Sequence, residues 1–176
     1  SPLGGVYVSI ILYPPQGLLS SLTMLAGLAI TDCIQKVSGI KADIKWPNDV
    51  LIDGKKTGGI LARSGNSPSE GCYAIVGIGI NADMDVTKQP EIAEVATSLS
   101  AVMGESVSRQ AVICNLLENF EKWYRALGEG RPVWDAWRRR LITLGKQVTV
   151  NVGDVVYIGL AESVNRDGSL RVRQAN

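Results

Sequence analysis

Ile44 to Leu61 reads IKWPNDVLIDGKKTGGIL. A lysine, a tryptophan and a proline close a short apolar run. A turn built on Asp53-Gly54 follows, and then Lys55, Lys56 and the Gly58-Gly59 pair open another apolar run. An Asp-Gly dipeptide between apolar runs is a strong hairpin signal. The stretch therefore predicts a hairpin with cation, aromatic ring and bare backbone gathered at one end. Such a site suits a small anionic ligand with a flat ring.

Working outward, Val6 to Tyr13 (VYVSIILY) alternates and is rich in β-branched residues, which predicts a strand. From Leu18 to Val37 the apolar positions Leu22, Leu25, Ala29, Cys33 and Val37 recur at helical spacing, and Gly39 is a fitting stop. Short strands at Ala42 to Trp46 and Val50 to Ile52 flank Pro47-Asn48-Asp49. Thr57 to Arg63 predicts the next strand and Ser64 to Gly71 a mobile loop. Cys72 to Ile80 (CYAIVGIGI) predicts a strand buried on both faces. One or two helical turns are expected within Ala96 to Met103. Ser108 is a candidate cap for a helix to about Leu127, and Pro132 sits at the first turn of another over Val133 to Leu141. Beyond Leu144 the texture becomes that of short strands, at Lys146 to Val152, Val155 to Val164 and Ser169 to Arg173. The expectation is an α+β fold, a mixed sheet with packed helices, followed by a small barrel-like β unit.

Composition narrows the function. Lysine and arginine number 18 against 17 acidic residues, a net charge of +1, which argues against non-specific nucleic-acid binding. There is no histidine, so Ser-His-Asp and Cys-His catalysis are excluded. Cys33, Cys72 and Cys114 form no CxxC pair, which speaks against zinc; Cys33 and Cys114 fall on apolar helix faces as small core residues. The apolar stretch Leu18 to Ile34 is interrupted by Ser20, Ser21, Thr23, Thr31 and Asp32, and reads as a buried helix rather than a membrane span. The opening SPLGG has no basic segment of a secretory signal. Arg138 to Arg140 reads as a solvated helix face.

Lys45 comes first among the candidates for chemistry. A lysine in a short central strand, beside tryptophan and proline, can aim its ammonium at one point and offset negative charge as it builds; the alternative is a lysine snorkelling from a strand end. Gly58-Gly59 and the alternating Gly77 and Gly79 mark either close approach by a ligand or a tight sheet crossing, with Asn81 at the strand's end. Asp49 could orient Lys45, hold a magnesium ion or satisfy the local turn. Trp46 stacks on a ligand or belongs to the core.

KWPNDV at Lys45 to Val50, KKTGGIL at Lys55 to Leu61 and VGIGIN at Val76 to Asn81 closely resemble, in order and spacing, the biotin protein ligases. SPLGGVYVSIIL resembles the strand after that family's biotin-binding loop, and the C-terminal strands resemble the start of its SH3-like domain. The resemblance implies a class II synthetase-like catalytic domain over residues 1–144 and a partial SH3-like β domain over 145–176. It implies that biotin and Mg-ATP give biotinyl-5′-AMP, after which biotin passes to a lysine on a carrier domain of a carboxylase. Lys45 is then the catalytic lysine, contacting the biotin carboxylate and the activated phosphate. Trp46, Gly58 and Gly59 complete the biotin site, and Asn48, Asp49, Lys56 and Asn81 face ATP, with magnesium as companion ion and no protein-bound metal. A cytoplasmic location, a homodimer, and no nucleic-acid or membrane contact from this portion are further implications. The family's glycine- and arginine-rich loop is not found in these residues, so the resemblance implies a chain truncated at both ends. A non-catalytic scaffold, and a lipoate ligase or acyltransferase of the same fold, are the alternatives.

Overall fold

The structure, a computed structural model, describes residues 4–69, 71–88 and 90–174. The readings that fall on Ser1-Pro2-Leu3 and Ala175-Asn176 lie outside them. Elements follow in the order β1 (Val6–Leu12), α1 (Ser21–Ser38), β2 (Asp43–Lys45), β3 (Asp49–Ile52), β4 (Lys55–Ser67) and β5 (Gly71–Ile80). Then come α2 (Leu99–Met103), α3 (Arg109–Gly128), α4 (Val133–Arg138), β6 (Gln147–Val152), β7 (Val155–Val164) and β8 (Leu170–Arg173). Single turns of 3₁₀ helix lie at Gln16–Leu18 and Val86–Lys88.

Local chemistry sets the helix ends. Gly39 takes φ 72° and returns its N–H to the Gln35 carbonyl, which ends α1. The Ser108 hydroxyl accepts from the Ala111 N–H at 3.2 Å and starts α3. No helix among the described residues is long and apolar enough to cross a membrane.

The first sheet has five strands in the order β1-β5-β4-β3-β2. Its register decides what each side chain faces. Val6, Ile80, Gly58, Val50 and Ile44 pair in one continuous cross-strand row, and all are buried. That row lies under α1: a methyl on Gly58 would meet Ile30 Cγ2 at 3.5 Å, and one on Gly27 would meet Ile44 Cδ1 at 3.1 Å. The two glycines let helix and sheet approach closely. The core fills the space between the sheet and α1, with α3 and Trp137 of α4 packed against the helix.

The ladders differ from the mixed sheet expected. Among the described residues all pairs of named strands are antiparallel, with hairpins and short turns joining β2 to β5, and parallel pairing is confined to isolated bridges at Ile44–Leu141 and Lys56–Ala96. Of the loop expected from Ser64 to Gly71, Ser64 to Ser67 belong instead to β4 and Gly71 to β5, which pair with each other. β5 is buried on one face only, with Ile75 38% exposed. β2 is an edge strand, not a central one. Cys114 is exposed while Cys33 is buried, because α3 turns the former toward solvent.

The last three strands form a separate antiparallel sheet, β6-β7-β8. Among the described residues it is open rather than a barrel, since β6 and β8 are both edges and closure needs a continuous ladder. Two indoles dock it: Trp46 Nε1 donates to the Gly168 carbonyl at 2.8 Å and Trp134 Nε1 to the Asn165 carbonyl at 2.7 Å.

Candidate active site

The row of residues beside the buried one faces the opposite way. Tyr7, Gly79, Gly59, Asp49 and Lys45 are paired in turn across all five strands. Directly paired residues share a face, so this second row crosses the open side of the sheet from an aromatic ring, over two glycines, to a carboxylate and an ammonium. Around its middle lies a groove of about 410 Å³, bordered by Tyr7, Ser9, Asn48, Lys56, Leu61 and Gly77. A few hundred Å³ is the usual size of a small-molecule site.

Each feature has a local cause. The Tyr7 ring lies where a Gly79 side chain would go, 3.4 Å from the position of its missing methyl. Gly59 leaves the floor bare beside Lys56, whose Cε lies 3.3 Å from the methyl position. Gly58 faces α1, so of the adjacent pair only Gly59 opens on the groove. Gly77 and Gly79 do share one face, as their spacing predicts.

The charges are placed with equal definition. Asp49 Oδ1 meets Lys56 Nζ at 2.5 Å. The main chain of Lys56 is fixed in turn, its N–H donating to Val95 O and its carbonyl accepting from Thr97 N–H. Asn81 ties that corner, its amide donating to Thr97 O at 3.0 Å and Lys56 O at 3.4 Å. Asn48 donates to Ile60 O at 2.7 Å and holds the turn against β4. Lys45 is exposed, and its ammonium has no anionic partner among the described residues. Asp49 therefore serves Lys56 and leaves Lys45 free for an anion.

Residues 45–49 form a rim between two hollows. Asn48 borders the groove, whereas Lys45, Trp46 and Pro47 line a cleft of about 580 Å³ against β6. The Trp46-Pro47 peptide is cis. Trp46 is partly buried and its N–H donates to Thr143 Oγ1 at 2.9 Å. Sequence reasoning missed Tyr7, Ser9 and Thr143. The alternation of VYVSIIL placed Tyr7 and Ser9 on one face, but only the register with β5 shows which glycines they meet. Among the described residues no three of His, Cys, Asp or Glu gather to hold a metal.

A family profile described as the biotin/lipoate A/B protein ligase family matches residues 1–81. A biotin–[acetyl-CoA-carboxylase] ligase of Paracoccus denitrificans is 32% identical over 98% of this chain and 75% of its own length. The chain belongs to the biotin protein ligases. The bifunctional ligase/repressor BirA of Bacillus subtilis is 37% identical over 94% of this chain, which spans 53% of that relative's length. The biotin protein ligase of Aquifex aeolicus, solved in complex with biotin and ATP, superposes with a TM-score of 0.82 at 26% identity, covering 96% of this chain and 71% of that one. The family membership and the α+β fold expected from the three motifs are thus shown.

Proposed function

We propose that these residues form the central part of a biotin-adenylating site. In the reaction, a carboxylate oxygen of biotin attacks the α-phosphorus of ATP and pyrophosphate leaves, giving biotinyl-5′-AMP. The ε-amine of a lysine on a carboxylase carrier domain then attacks the acyl carbon, and AMP leaves. Both steps join anions or form them, so the protein's task is to position reactants and neutralise charge. No histidine is required.

The observation that carries this reading is the open row Tyr7-Gly79-Gly59-Asp49-Lys45. Gly59 and the Tyr7 ring offer a flat apolar seat for biotin. Lys45, free of an acidic partner among the described residues, is placed to hold the carboxylate and the phosphate together. Lys56, with Asp49, Asn48 and Asn81 around it, faces the nucleotide. Gly58 contributes from the helix side by letting α1 close on the sheet, and Trp46, next to Lys45, by bonding its indole to the Gly168 carbonyl of the small sheet. Magnesium bound on ATP phosphates needs only one or two protein carboxylates, and Asp49, beside Lys56, would supply one.

The proposal divides the chain into a catalytic part, 1–144, and an SH3-like part, 145–176. It includes a cytoplasmic location, in keeping with three unpaired cysteines. It also includes a homodimer, and no nucleic-acid or membrane contact from this portion, in keeping with the balanced charge. The test is to incubate the full-length protein with biotin, Mg-ATP and a carrier domain. Biotinyl-5′-AMP and a biotinylated carrier are expected; absence of the adenylate overturns the proposal.

A further inference from the structure

β2, which carries Lys45, is three residues long and lies at the sheet edge, with β3 as its ladder partner. A strand that short does not hold one geometry by itself. Its outer side is occupied by the chain segment after α4. The Ile44 N–H donates to the Arg140 carbonyl at 2.9 Å, the Ile142 N–H donates to the Ile44 carbonyl at 3.0 Å, and Thr143 Oγ1 accepts from the Trp46 N–H at 2.9 Å. Both neighbours of Lys45 are therefore fixed by residues 140–143.

That segment is held by charge. Arg140 Nη1 meets Asp32 Oδ1 at 2.7 Å and donates as well to the Thr31 hydroxyl and to the Leu28 carbonyl, the last at 3.3 Å. Asp32's other oxygen accepts from Trp123 Nε1 of α3 at 2.9 Å, with Lys122 at 3.8 Å. Asp32 stands on α1, whose inner face is the core of the fold. The two charged side chains are 30% and 21% exposed, so water screens them only in part. Of the three arginines 138–140, Arg140 is the one that leaves the solvated face, and its partners are helix-borne and rigid.

We infer that Asp32 and Arg140 are positioning residues for Lys45: the pair anchors residues 140–143 to α1, and that segment sets where the edge strand presents its ammonium. This rests on the reading of Lys45 given under Proposed function. Neither side chain touches the groove, and the effect passes through the Ile44 and Trp46 main chain. Displacing a reacting group by about 1 Å costs on the order of a hundredfold in rate, so a modest loosening of the edge is visible in turnover.

The test uses Arg140→Met in the full-length protein, made both alone and with Lys45→Ala. Amide exchange at Ile44 and Ile142 is followed alongside the rate of biotinyl-5′-AMP formation. Faster exchange at both amides is expected, with a roughly tenfold slower adenylation in the parent and no further loss in the Lys45→Ala background. Unchanged exchange at both amides, or an equal drop in the two backgrounds, overturns the inference. Should Arg140→Met not fold, Asp32→Asn keeps an acceptor for Trp123 and carries the same expectations. Failure of the Lys45 reading would show separately, as Lys45→Ala alone adenylating biotin at the parental rate.

Discussion

Asp49 and Lys56 face each other across the β3-β4 hairpin with carboxylate and ammonium 2.5 Å apart, while Lys45, directly opposite Asp49 on the other side, has no such partner among the described residues. Lys56 is half exposed and Asp49 about a quarter. An ion pair with that much water near it contributes between nothing and about 1 kcal/mol to stability. Its value must lie in placing Lys56. Asp49→Asn in the full-length protein is therefore expected to shift Tm by no more than about 4 °C. KM for ATP should rise by about tenfold, roughly 1.4 kcal/mol of binding. A large fall in Tm with KM unchanged would make the pair a fold element instead.

Gly58 and Gly59 are adjacent in sequence and opposite in consequence. A methyl on Gly58 would lie 3.1 Å from the Gly79 carbonyl oxygen, a main-chain atom that cannot swing away. Gly58→Ala should cost about 1–3 kcal/mol of stability, as overpacking of a filled core does. A side chain on Gly59 meets the flexible end of Lys56, the Asp49 carboxylate at 3.9 Å and the groove, with no main-chain atom in its way. Gly59→Val should leave the denaturant midpoint nearly unchanged and abolish measurable biotin binding by calorimetry. Equal losses of stability in both variants would contradict the assignment of the two faces.

What could be read from the chain follows the range over which each cause acts. The Ser108 cap, the Gly39 stop and the Asp53-Gly54 turn are decided within about four residues, and each stands where the sequence puts it. The turn between β2 and β3 at Trp46 to Asn48 is local in the same way. The edge position of β2, the extension of β4 through Ser67 and the exposure of Cys114 depend on partners far along the chain. Pairing Tyr7 with Gly79, or Asp32 with Arg140, joins residues far apart in the chain and leaves no local pattern. The run Arg138-Arg139-Arg140 shows the limit well: three identical residues are read alike, yet only the third reaches α1.

The cysteines should separate sharply toward alkylation. Burial pushes the Cys33 thiol up to about 12 against the opposing charge of Lys36, and its Sγ donates to the Val112 carbonyl at 3.4 Å. At pH 8 it is almost wholly protonated, and the thiolate is the reactive form. Cys114 is exposed. Mass spectrometry after brief iodoacetamide treatment should find Cys114 modified and Cys33 untouched until denaturant is added. Modification of Cys33 in the folded protein would show that α1 and α3 open far more readily than their packing implies.

Acid should act on the dock of the small sheet through Asp167. The Ser169 N–H donates to Asp167 Oδ1 at 2.9 Å and the Ser169 hydroxyl at 2.7 Å, and these bonds hold the Asp167 carboxyl below the usual carboxylate range. A depressed folded value means the stabilisation is present above the unfolded value, about 3.9, and is lost as pH falls through the folded one. The turn it orders supplies the Asn165 and Gly168 carbonyls that accept from Trp134 and Trp46. Protonating Asp167 should therefore loosen the hold on Trp46, next to Lys45, before the main sheet unfolds. In NMR spectra the indole N–H signals of Trp46 and Trp134 are expected to move below about pH 4, ahead of the core amides. Asp167→Asn keeps an acceptor oxygen but cannot titrate, so that early movement should vanish from it. Indole signals that shift only together with the core, or that shift alike in Asp167→Asn, would mean that another group governs the acid response of the dock.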